Sequence, residues 1–296
     1  MKSWKIGAIA GIFAGIIFVV LSEIFLKIGL SIGLWDAWWR QYFVGNTIVN
    51  IPLFIFWGIV LGVIYSKVHD LIPGKGILKG LVYGLFFFLI LPIRNETFMI
   101  PYGAVLNAIG NLFSAIFVWP VFGLSLGIFY KLLHDRYLPT KGKSIIVTYD
   151  MKSGLLPGAI AGIMQGIAAG FVSVIGHLTG QWGVPVGGEI ISTIEYWISQ
   201  FGTHILINMI WATIFGAFFA LVYNLVPGKK IMKGVCYALI MFLITSGQWF
   251  SWVLVAGANH DAWQLVNIQI INYFVYGFDF VVFGLVLGLL YRKPPK

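Results

Sequence analysis

The stretch Gly154-Leu-Leu-Pro-Gly158-Ala-Ile-Ala-Gly162-Ile-Met-Gln-Gly166-Ile-Ala-Ala-Gly170 places a glycine at every fourth position. A shorter version, Gly7-Ala-Ile-Ala-Gly11-Ile-Phe-Ala-Gly15, lies near the amino terminus, and both stretches follow a Met-Lys-Ser sequence. On a helix, glycines four residues apart line one face with bare backbone, so a neighbouring helix can approach closely in a lipid bilayer. The residues predicted to pack helices in this glycine-zipper manner are Gly7, Gly11, Gly15, Gly158, Gly162, Gly166 and Gly170.

The composition is typical of a membrane protein. Of the 296 residues, 59% are hydrophobic and only 10% are charged, whereas a soluble domain typically has about a quarter charged residues. Apolar runs of about 20 residues, the length that crosses a hydrocarbon core of roughly 30 Å, recur along the chain. We therefore predict an all-α polytopic membrane protein that lies in the lipid bilayer.

Eight apolar runs are predicted to span the membrane. They cover about residues 6–29, 47–66, 76–97, 107–132, 155–178, 204–225, 231–250 and 266–291. Of the 19 lysines and arginines, three (Lys27, Arg40 and Arg94) fall on the side opposite the amino terminus, and the other 16 fall on its own side. Because cytoplasmic loops carry an excess of these residues, both termini are predicted to face the cytoplasm, in a plasma or bacterial inner membrane. This placement also accounts for the net charge of +9, so nucleic acid is not an expected partner.

The sequence predicts an internal duplication of a four-helix unit, over residues 1–140 and 151–296, with a cytoplasmic connector at 134–153. Ile72-Pro-Gly-Lys75 is matched by Val226-Pro-Gly-Lys229, and Lys79-Gly80 with Tyr83 is matched by Lys233-Gly234 with Tyr237. In the second helix of each copy, Gly58 and Tyr65 are matched with Gly216 and Tyr223. Since each copy holds an even number of spans, both copies insert the same way round. The prediction is therefore two tandem parallel repeats rather than inverted ones.

The order of motifs within one copy also indicates a family. A first helix rich in glycine and alanine is followed by a helix such as Phe215-Gly-Ala-Phe-Phe-Ala-Leu-Val-Tyr223, which leads into Pro227 and Lys229. A helix beginning near Lys233-Gly234 comes next, and the last span ends in a basic tail, as in Phe117-Val-Trp119 to Arg136. In these features, over about three spans, each copy resembles the YagU-like family of small bacterial inner-membrane proteins. The resemblance implies a helical inner-membrane protein, and it carries no reaction and no site residue to this chain, which differs in having two copies.

Asp279 stands out among the polar residues within the predicted spans. It lies twelve residues before Tyr291 at the inner end, roughly 18 Å at 1.5 Å per residue, and therefore near the middle of the bilayer. An aspartate at that depth costs on the order of 3 kcal/mol on insertion scales, and the first copy has Val118 at the matched position. Two interpretations are open: a proton- or cation-linked group that faces a cavity, or a carboxyl group hydrogen-bonded to a neighbouring helix.

The other polar residues within the spans concentrate in the predicted outer third. Asn50 is matched with Asn208 and Asn111 with Asn272, whereas His204 is matched with Asn46. Glu23 lies four residues before Lys27, a spacing that favours an ion pair on one helix face. Amide side chains in membrane helices bond across to neighbours, and Arg94 with Glu96 is typical of an ion pair at the outer surface. Alternatively, a polar vestibule that lines a pore or substrate site is formed by Asp279, Asn50, Asn208, Asn111, Asn272, Glu23, Arg94, Glu96 and His204.

Three functions are compatible with these patterns. The favoured one is a channel or secondary carrier that passes a small solute or ion between the two repeats. The second is a non-catalytic scaffold or subunit, whose partners are other membrane subunits or a second copy of the chain. The third, an intramembrane enzyme acting on lipid or quinone, is weaker because acid, base and metal candidates do not converge. The chain lacks a His-Glu-x-x-His string and a nucleotide-binding loop, so no catalytic residue, metal or cofactor is predicted.

Overall fold

The computed structural model describes residues 2–34, 47–99, 105–138, 150–178, 184–186, 189–191, 194–260 and 263–292. Within these ranges the side chains are described except at 47–50, 98–99, 107, 173, 176–178, 184–186, 189–191, 194–197, 199–200, 248–260 and 263–276. Of the predicted site residues, Asn50 and Asn272 have side chains outside the described part. The segment Trp35–Tyr42, at which the chain is rich in tryptophan, also lies outside it.

The first half of the chain forms four long helical rods. They are α1 (Ser3–Ser31), α2 (Thr47–Val68), α3 and α4 (Val105–Tyr137). We use α3 for three consecutive segments, namely the α-helix Ile77–Phe88, the π-helical turn Leu89–Ile93 and the α-helix Arg94–Met99. A short 3-10 turn, His69–Leu71, follows α2.

The second half continues with four further long helices. They are α5 (Leu155–Leu178), α6 (Ile194–Val222), α7 (Ile231–His260) and α8 (Trp263–Leu290). A 3-10 turn, Met151–Gly154, precedes α5, and a small antiparallel pair of strands, β1 (Val184–Val186) and β2 (Glu189–Ile191), stands between α5 and α6. The helix α6 begins ten residues before the predicted span, which starts at residue 204.

The helices group into two compact units. Unit 1 comprises Met1–Ile100 and Ala104–Val147, and unit 2 comprises Pro101–Gly103 and Thr148–Lys296. In unit 1, α1 packs on α2 and α4, and α3 packs on α4. In unit 2, α5 packs on α6 and α8, and α7 packs on α8.

Six of the described helices are long and apolar enough to cross a membrane. They cover Ser3–Ser31, Ile51–Leu71, Ile77–Thr97, Ala108–Tyr137, Met151–Val172 and Phe201–Val222, and two shorter apolar stretches cover Ile231–Gly247 and Gly277–Leu290. Many large apolar side chains on these helices are exposed, including Phe56 at 55% and Leu132 at 62%. Apolar helices with apolar exposed faces are what a multi-pass integral membrane protein requires. The predicted helical architecture is confirmed, and the six apolar helices are consistent with a multi-pass membrane protein.

Backbone contacts at glycine hold α1 against α2 in unit 1. A Cβ atom added to Gly11 would overlap the carbonyl oxygen of Gly58 and lie 2.7 Å from its carbonyl carbon. A Cβ atom on Gly7 would overlap the carbonyl oxygen of Gly62, and one on Gly15 would lie 2.9 Å from the carbonyl oxygen of Phe54. The first glycine stripe therefore lies against backbone of α2.

The longer glycine stripe makes the corresponding contacts in unit 2. A Cβ atom on Gly158 would lie 2.9 Å from the Cα atom of Gly216, and one on Gly162 would lie 2.5 Å from the carbonyl oxygen of Asn208. A Cβ atom on Gly166 would lie 2.5 Å from the Cα atom of Ile205 on α6. The remaining helix pair of each unit also meets at glycine, through Gly80, Gly84, Gly123 and Gly127 in unit 1 and Gly234, Gly284 and Gly288 in unit 2.

Each unit has four packed aromatic rings at the end where α2 and α6 finish. In unit 1 the first aromatic cluster consists of Tyr65, His69, Tyr83 and Tyr130. The centroid of the Tyr65 ring lies 5.4 Å from that of His69, 5.1 Å from that of Tyr83 and 5.1 Å from that of Tyr130. The His69 and Tyr130 rings lie 5.0 Å apart, and the Tyr83 hydroxyl donates a hydrogen bond to the Leu61 carbonyl at 2.7 Å.

In unit 2 the second aromatic cluster consists of Phe219, Tyr223, Tyr237 and Tyr291. The centroid of the Phe219 ring lies 5.4 Å from that of Tyr223, 5.0 Å from that of Tyr237 and 5.1 Å from that of Tyr291. The Tyr223 and Tyr291 rings lie 5.0 Å apart, and the Tyr237 hydroxyl donates to the Phe215 carbonyl at 2.8 Å. Ring by ring, these distances match those of the first aromatic cluster to within 0.1 Å.

The ring contacts give α2 and α6 a register that differs from the one predicted from the sequence. Tyr65 makes the ring contacts in unit 1 that Phe219 makes in unit 2, whereas the sequence matched Tyr65 with Tyr223, one helical turn further along. Carried along the helices, this register matches Asn50 with His204 instead of Asn208. The sequence misled because similar residues recur four positions apart on these helices, so a shift of one turn still aligns them.

The reversals that follow α2 and α6 are built alike. Gly74 and Gly228, in the Pro-Gly-Lys turns, have φ angles of +104° and +99°, which glycine adopts without a steric penalty. The Lys79 ammonium then donates to the carbonyl of His69 at 2.7 Å. The Lys233 ammonium donates to the carbonyls of Tyr223 and Val226 at 2.6 and 2.7 Å. The last carbonyls of a helix lack intrahelical donors, so these lysines stabilise the helix ends.

Candidate functional site

Asp279 lies in α8 and is only 3% exposed. Its Oδ1 atom is buried and has no hydrogen-bond partner. Next to it along α8, the buried ring of Phe280 lies 5.6 Å from Phe242 on α7, and the buried ring of Phe283 lies 6.4 Å from Phe215 on α6. The carboxyl group therefore belongs to an aromatic and apolar part of unit 2.

A second polar group of unit 2 lies at the contact of α5 with α6. His204 and Asn208 on α6 are buried, and the Asn208 amide donates to the His204 carbonyl at 2.9 Å. The backbone at both residues faces the glycine stripe, because a Cβ atom on Gly166 would lie 3.0 Å from the His204 carbonyl oxygen. Asn208 thus bonds within its own helix, rather than across to a neighbour as the sequence predicted.

Gln165 is a buried polar residue that the sequence reading missed. It is 5% exposed and lies in α5, beside Gly166 in the glycine stripe. Because the glycine stripe brings the backbone of α5 close to α6, side chains next to the stripe are enclosed between the two helices. The sequence could have indicated this residue, because Gln165 is the one polar side chain between Gly154 and Gly170.

The polar site of unit 1 is built from α3 and α4. Glu96 is 6% exposed and accepts a hydrogen bond from the Asn111 amide at 3.0 Å. The sequence favoured a surface ion pair of Glu96 with Arg94; the structure instead buries the Glu96 carboxyl group against α4. Arg94 is partly buried and begins the last segment of α3.

The π-helical turn Leu89–Ile93 precedes these residues and contains Pro92. Proline lacks a backbone N–H group, which interrupts the regular helical ladder, and a π turn inserts extra rotation into the helix. Such turns are frequent at functional sites. The π turn rotates the side chains of Arg94 and Glu96 about the helix axis relative to their positions in a regular α-helix. A sequence analysis that assumes regular helical spacing therefore places these side chains on a different face.

The remaining predicted site residue, Glu23, is partly exposed on α1. Within the described residues, the ion pairs are those of His69 with Asp70 (3.1 Å) and His134 with Asp135 (4.0 Å), so the spacing of Glu23 and Lys27 does not produce one. The structure thus brings together Glu96 with Asn111 in unit 1 and His204 with Asn208 in unit 2. Asp279 is buried and belongs to neither of these two pairs.

Metal binding has no support in the described part of the chain. No group of three or more histidine, cysteine, aspartate or glutamate side chains is placed there to hold a metal ion. No family model, curated protein or solved structure matches this chain. The resemblance to the YagU-like family stays a prediction, and the geometry of the two units is the basis on which a function can be assigned.

Proposed function

We propose that this chain is a channel or secondary carrier of a plasma or bacterial inner membrane that passes a small solute or ion. It has eight spans in two tandem parallel four-helix repeats, and both termini lie in the cytoplasm. The observation that carries the proposal is the buried carboxyl group of Asp279, one oxygen of which has no hydrogen-bond partner. Carboxyl groups within membrane spans are costly, and they commonly mark ion or substrate pathways.

Helix length supports eight spans. The helices α7 and α8 contain 30 and 28 residues, about 45 and 42 Å at 1.5 Å per residue. Each exceeds the roughly 30 Å thickness of a hydrocarbon core. Added to the six long apolar helices, they support the proposal of four spans in each unit.

The tandem repeat is supported by the two aromatic clusters. Four corresponding ring-to-ring distances agree to within 0.1 Å between the clusters. A tyrosine in each cluster donates to a carbonyl twenty-two residues earlier in the chain. The lysine that caps the preceding helix also recurs, since Lys79 and Lys233 each bind a carbonyl ten residues earlier. Unrelated helix bundles have no reason to share all of these features, so a common four-helix unit is the simplest explanation.

The proposed repeat gives a reason to regard Asp279 as functional rather than structural. In the matched strings Val121-Phe-Gly and Val282-Phe-Gly, the position three residues earlier is Val118 in one copy and Asp279 in the other. Val118 is 1% exposed, so an apolar residue fills the corresponding place in unit 1. An unpaired buried carboxylate is destabilising, and a role in transport is a reason for the second copy to contain one.

Flux through proteoliposomes tests the proposal. Stopped-flow light scattering after an osmotic step, with potassium chloride, ammonium chloride, urea and glycerol as probes, measures whether any of them crosses faster than in protein-free liposomes. We expect faster entry of at least one probe with the wild-type chain and slower entry with Asp279→Val, which installs the residue of the first copy. The matched control is Asp135→Asn, a carboxyl group whose side chain is 59% exposed and whose replacement leaves the flux unchanged. Equal rates in wild-type and protein-free vesicles for every probe would refute transport of such solutes.

A scaffold or a subunit of a larger membrane complex is the second candidate, because glycine contacts bring backbones together in both helix pairs of each unit. In such packing, backbone atoms fill the space between the paired helices, and large apolar side chains remain exposed on the surface of the unit. Other membrane proteins could bind to that surface. Co-purification in mild detergent with other membrane proteins, or as a homo-oligomer, is the expected result for this role.

A further inference from the structure

One oxygen of the buried Asp279 carboxyl group has no partner that would stabilise a negative charge. An ionised carboxylate removed from water is stabilised by a basic partner or by several hydrogen-bond donors. The Oδ1 atom of Asp279 has neither in this structure. Among the described residues of α8, Phe280 and Phe283 follow Asp279 and are buried aromatic side chains without polar atoms. No described side chain balances a negative charge on this oxygen, so a cation bound to the carboxyl group would supply that balance.

The helices packed on α8 supply no such cation from their described side chains. These helices are α5 and α7, and α6 also contacts α8 through the rings of Phe215 and Phe283. The described side chains of α5 include no titratable group, and those of α7 include Lys233, Cys236 and Tyr237. The titratable group among the described side chains of α6 is His204, eleven residues before Phe215, which is about 16 Å along the helix. The Lys233 ammonium is held by the carbonyls of Tyr223 and Val226, and the Tyr237 hydroxyl donates to a carbonyl of α6.

The acidic, histidine and cysteine side chains of the described residues favour a proton over a metal cation at Asp279. Metal cations such as Ca²⁺ and Mg²⁺ take about six or more oxygen ligands in proteins. In the described part of the chain, Asp279 belongs to no group of three or more acidic, histidine or cysteine side chains that could hold a metal ion. A proton needs only one oxygen. It also removes the charge entirely, which suits a carboxyl group beside aromatic rings.

We propose that Asp279 is a proton-binding site of unit 2 and that the proton is the coupling ion of this carrier. On binding, a proton from water forms an O–H bond with a carboxylate oxygen and neutralises the side chain; on release, the same bond breaks and water takes the proton. The role in coupling rests on the proposed transport function, whereas proton binding by Asp279 does not depend on it.

Chemical labelling tests proton binding directly. The apolar reagent N,N′-dicyclohexylcarbodiimide reacts with protonated carboxyl groups. The carboxyl proton moves to one carbodiimide nitrogen and the carboxylate oxygen adds to the central carbon; an oxygen-to-nitrogen acyl shift then leaves a stable N-acylurea, without a leaving group. Mass spectrometry of the purified full chain in detergent is expected to locate the adduct on Asp279 near neutral pH. We expect the labelling to slow as the pH rises and to be unaffected by sodium, potassium or calcium.

Control variants exclude trivial outcomes. Asp279→Asn removes the adduct, whereas Glu96→Gln, in which the amide oxygen can still accept from Asn111, leaves labelling of Asp279 intact. Because the wild-type chain itself gives the result, a variant that fails to fold does not affect the test. The absence of an adduct on folded wild-type protein, or protection by a metal cation at constant pH, would overturn the proposal.

A second measurement separates proton binding from transport. A pH-sensitive dye inside proteoliposomes reports proton movement when the solute that crosses fastest in the osmotic assay is added outside. Labelled Asp279 without any solute flux would leave the proton site standing and reject the transport function. Solute flux that moves no protons, with Asp279 unlabelled, would reject the proton proposal and retain transport.

Discussion

Replacing Gly11 by alanine is expected to destabilise unit 1, even though alanine is the better helix former. The added Cβ atom would overlap the carbonyl oxygen of Gly58 and lie 2.7 Å from the carbonyl carbon of that residue. It would also lie 3.2 Å from the Cα atom of Ile59. All three are backbone atoms, which cannot rotate aside as a flexible side chain does, so the two helices must move apart.

The size of the effect follows from two opposing contributions. Forcing an extra carbon into a well-packed contact costs about 1–3 kcal/mol, while replacing glycine by alanine within a helix gains about 1 kcal/mol. Since backbone lies on both sides of the contact, we expect a net loss of about 1–2 kcal/mol in the free energy of unfolding. Gly202 in α6 is the matched control, because a Cβ atom there would meet nothing within 4 Å. Gly202→Ala is expected to gain up to about 1 kcal/mol.

Urea or heat unfolding in detergent micelles, followed by tryptophan fluorescence, measures both variants against the wild-type chain. Gly216→Ala provides the same test in unit 2, because its Cβ atom would lie 2.6 Å from the Cα atom of Gly158. If Gly11→Ala were as stable as Gly202→Ala, the close approach of α1 to α2 would be refuted.

The polar groups at the helix ends give two further predictions, measured by the same unfolding assay. Tyr65→Phe is expected to leave stability unchanged or raise it, because the Tyr65 hydroxyl is buried without a partner and Phe219 fills the equivalent place in unit 2. Tyr83→Phe is expected to cost about 1 kcal/mol, since it removes a made hydrogen bond, and equal effects of the two substitutions would contradict this assignment. Lys233→Met is expected to destabilise more than Lys79→Met, because the Lys233 ammonium binds two carbonyls and lies 4.5 Å from the centroid of the Tyr223 ring. A larger loss for Lys79→Met would show that these contacts do not set the stability of the helix ends.

The membrane class and the helix-packing face could be read from the sequence, because both depend on short-range patterns. Apolar length predicts a span, and glycine at every fourth position predicts one bare helix face. The partner of that face could not be read. Gly7 meets Gly62 through a contact between separate helices, and several glycines on α2 fit the same pattern equally well.

The candidate site was predictable only where a residue is anomalous by itself. Asp279 is such a residue, since a carboxylate in an apolar run needs no three-dimensional information to be noticed. Burial of Glu96 was not predicted, because it depends on the π turn at Leu89–Ile93 and on the approach of Asn111 from α4. The ring contacts relate α2 and α6 with a register one helical turn from the predicted match for a related reason: they join separate helices, as the contact of Tyr65 with Tyr130 does.

The central claim, two tandem parallel repeats with both ends in the cytoplasm, is tested most directly by the accessibility of the two ends. The single native cysteine, Cys236, can be replaced by alanine, and a new cysteine can be placed near each end as Lys2→Cys or Arg292→Cys. A membrane-impermeant maleimide is then added to intact cells and to permeabilised cells. Both cysteines are predicted to react only after permeabilisation. Reaction of either end in intact cells would contradict the predicted topology, and reaction of one end alone would also exclude an even number of spans.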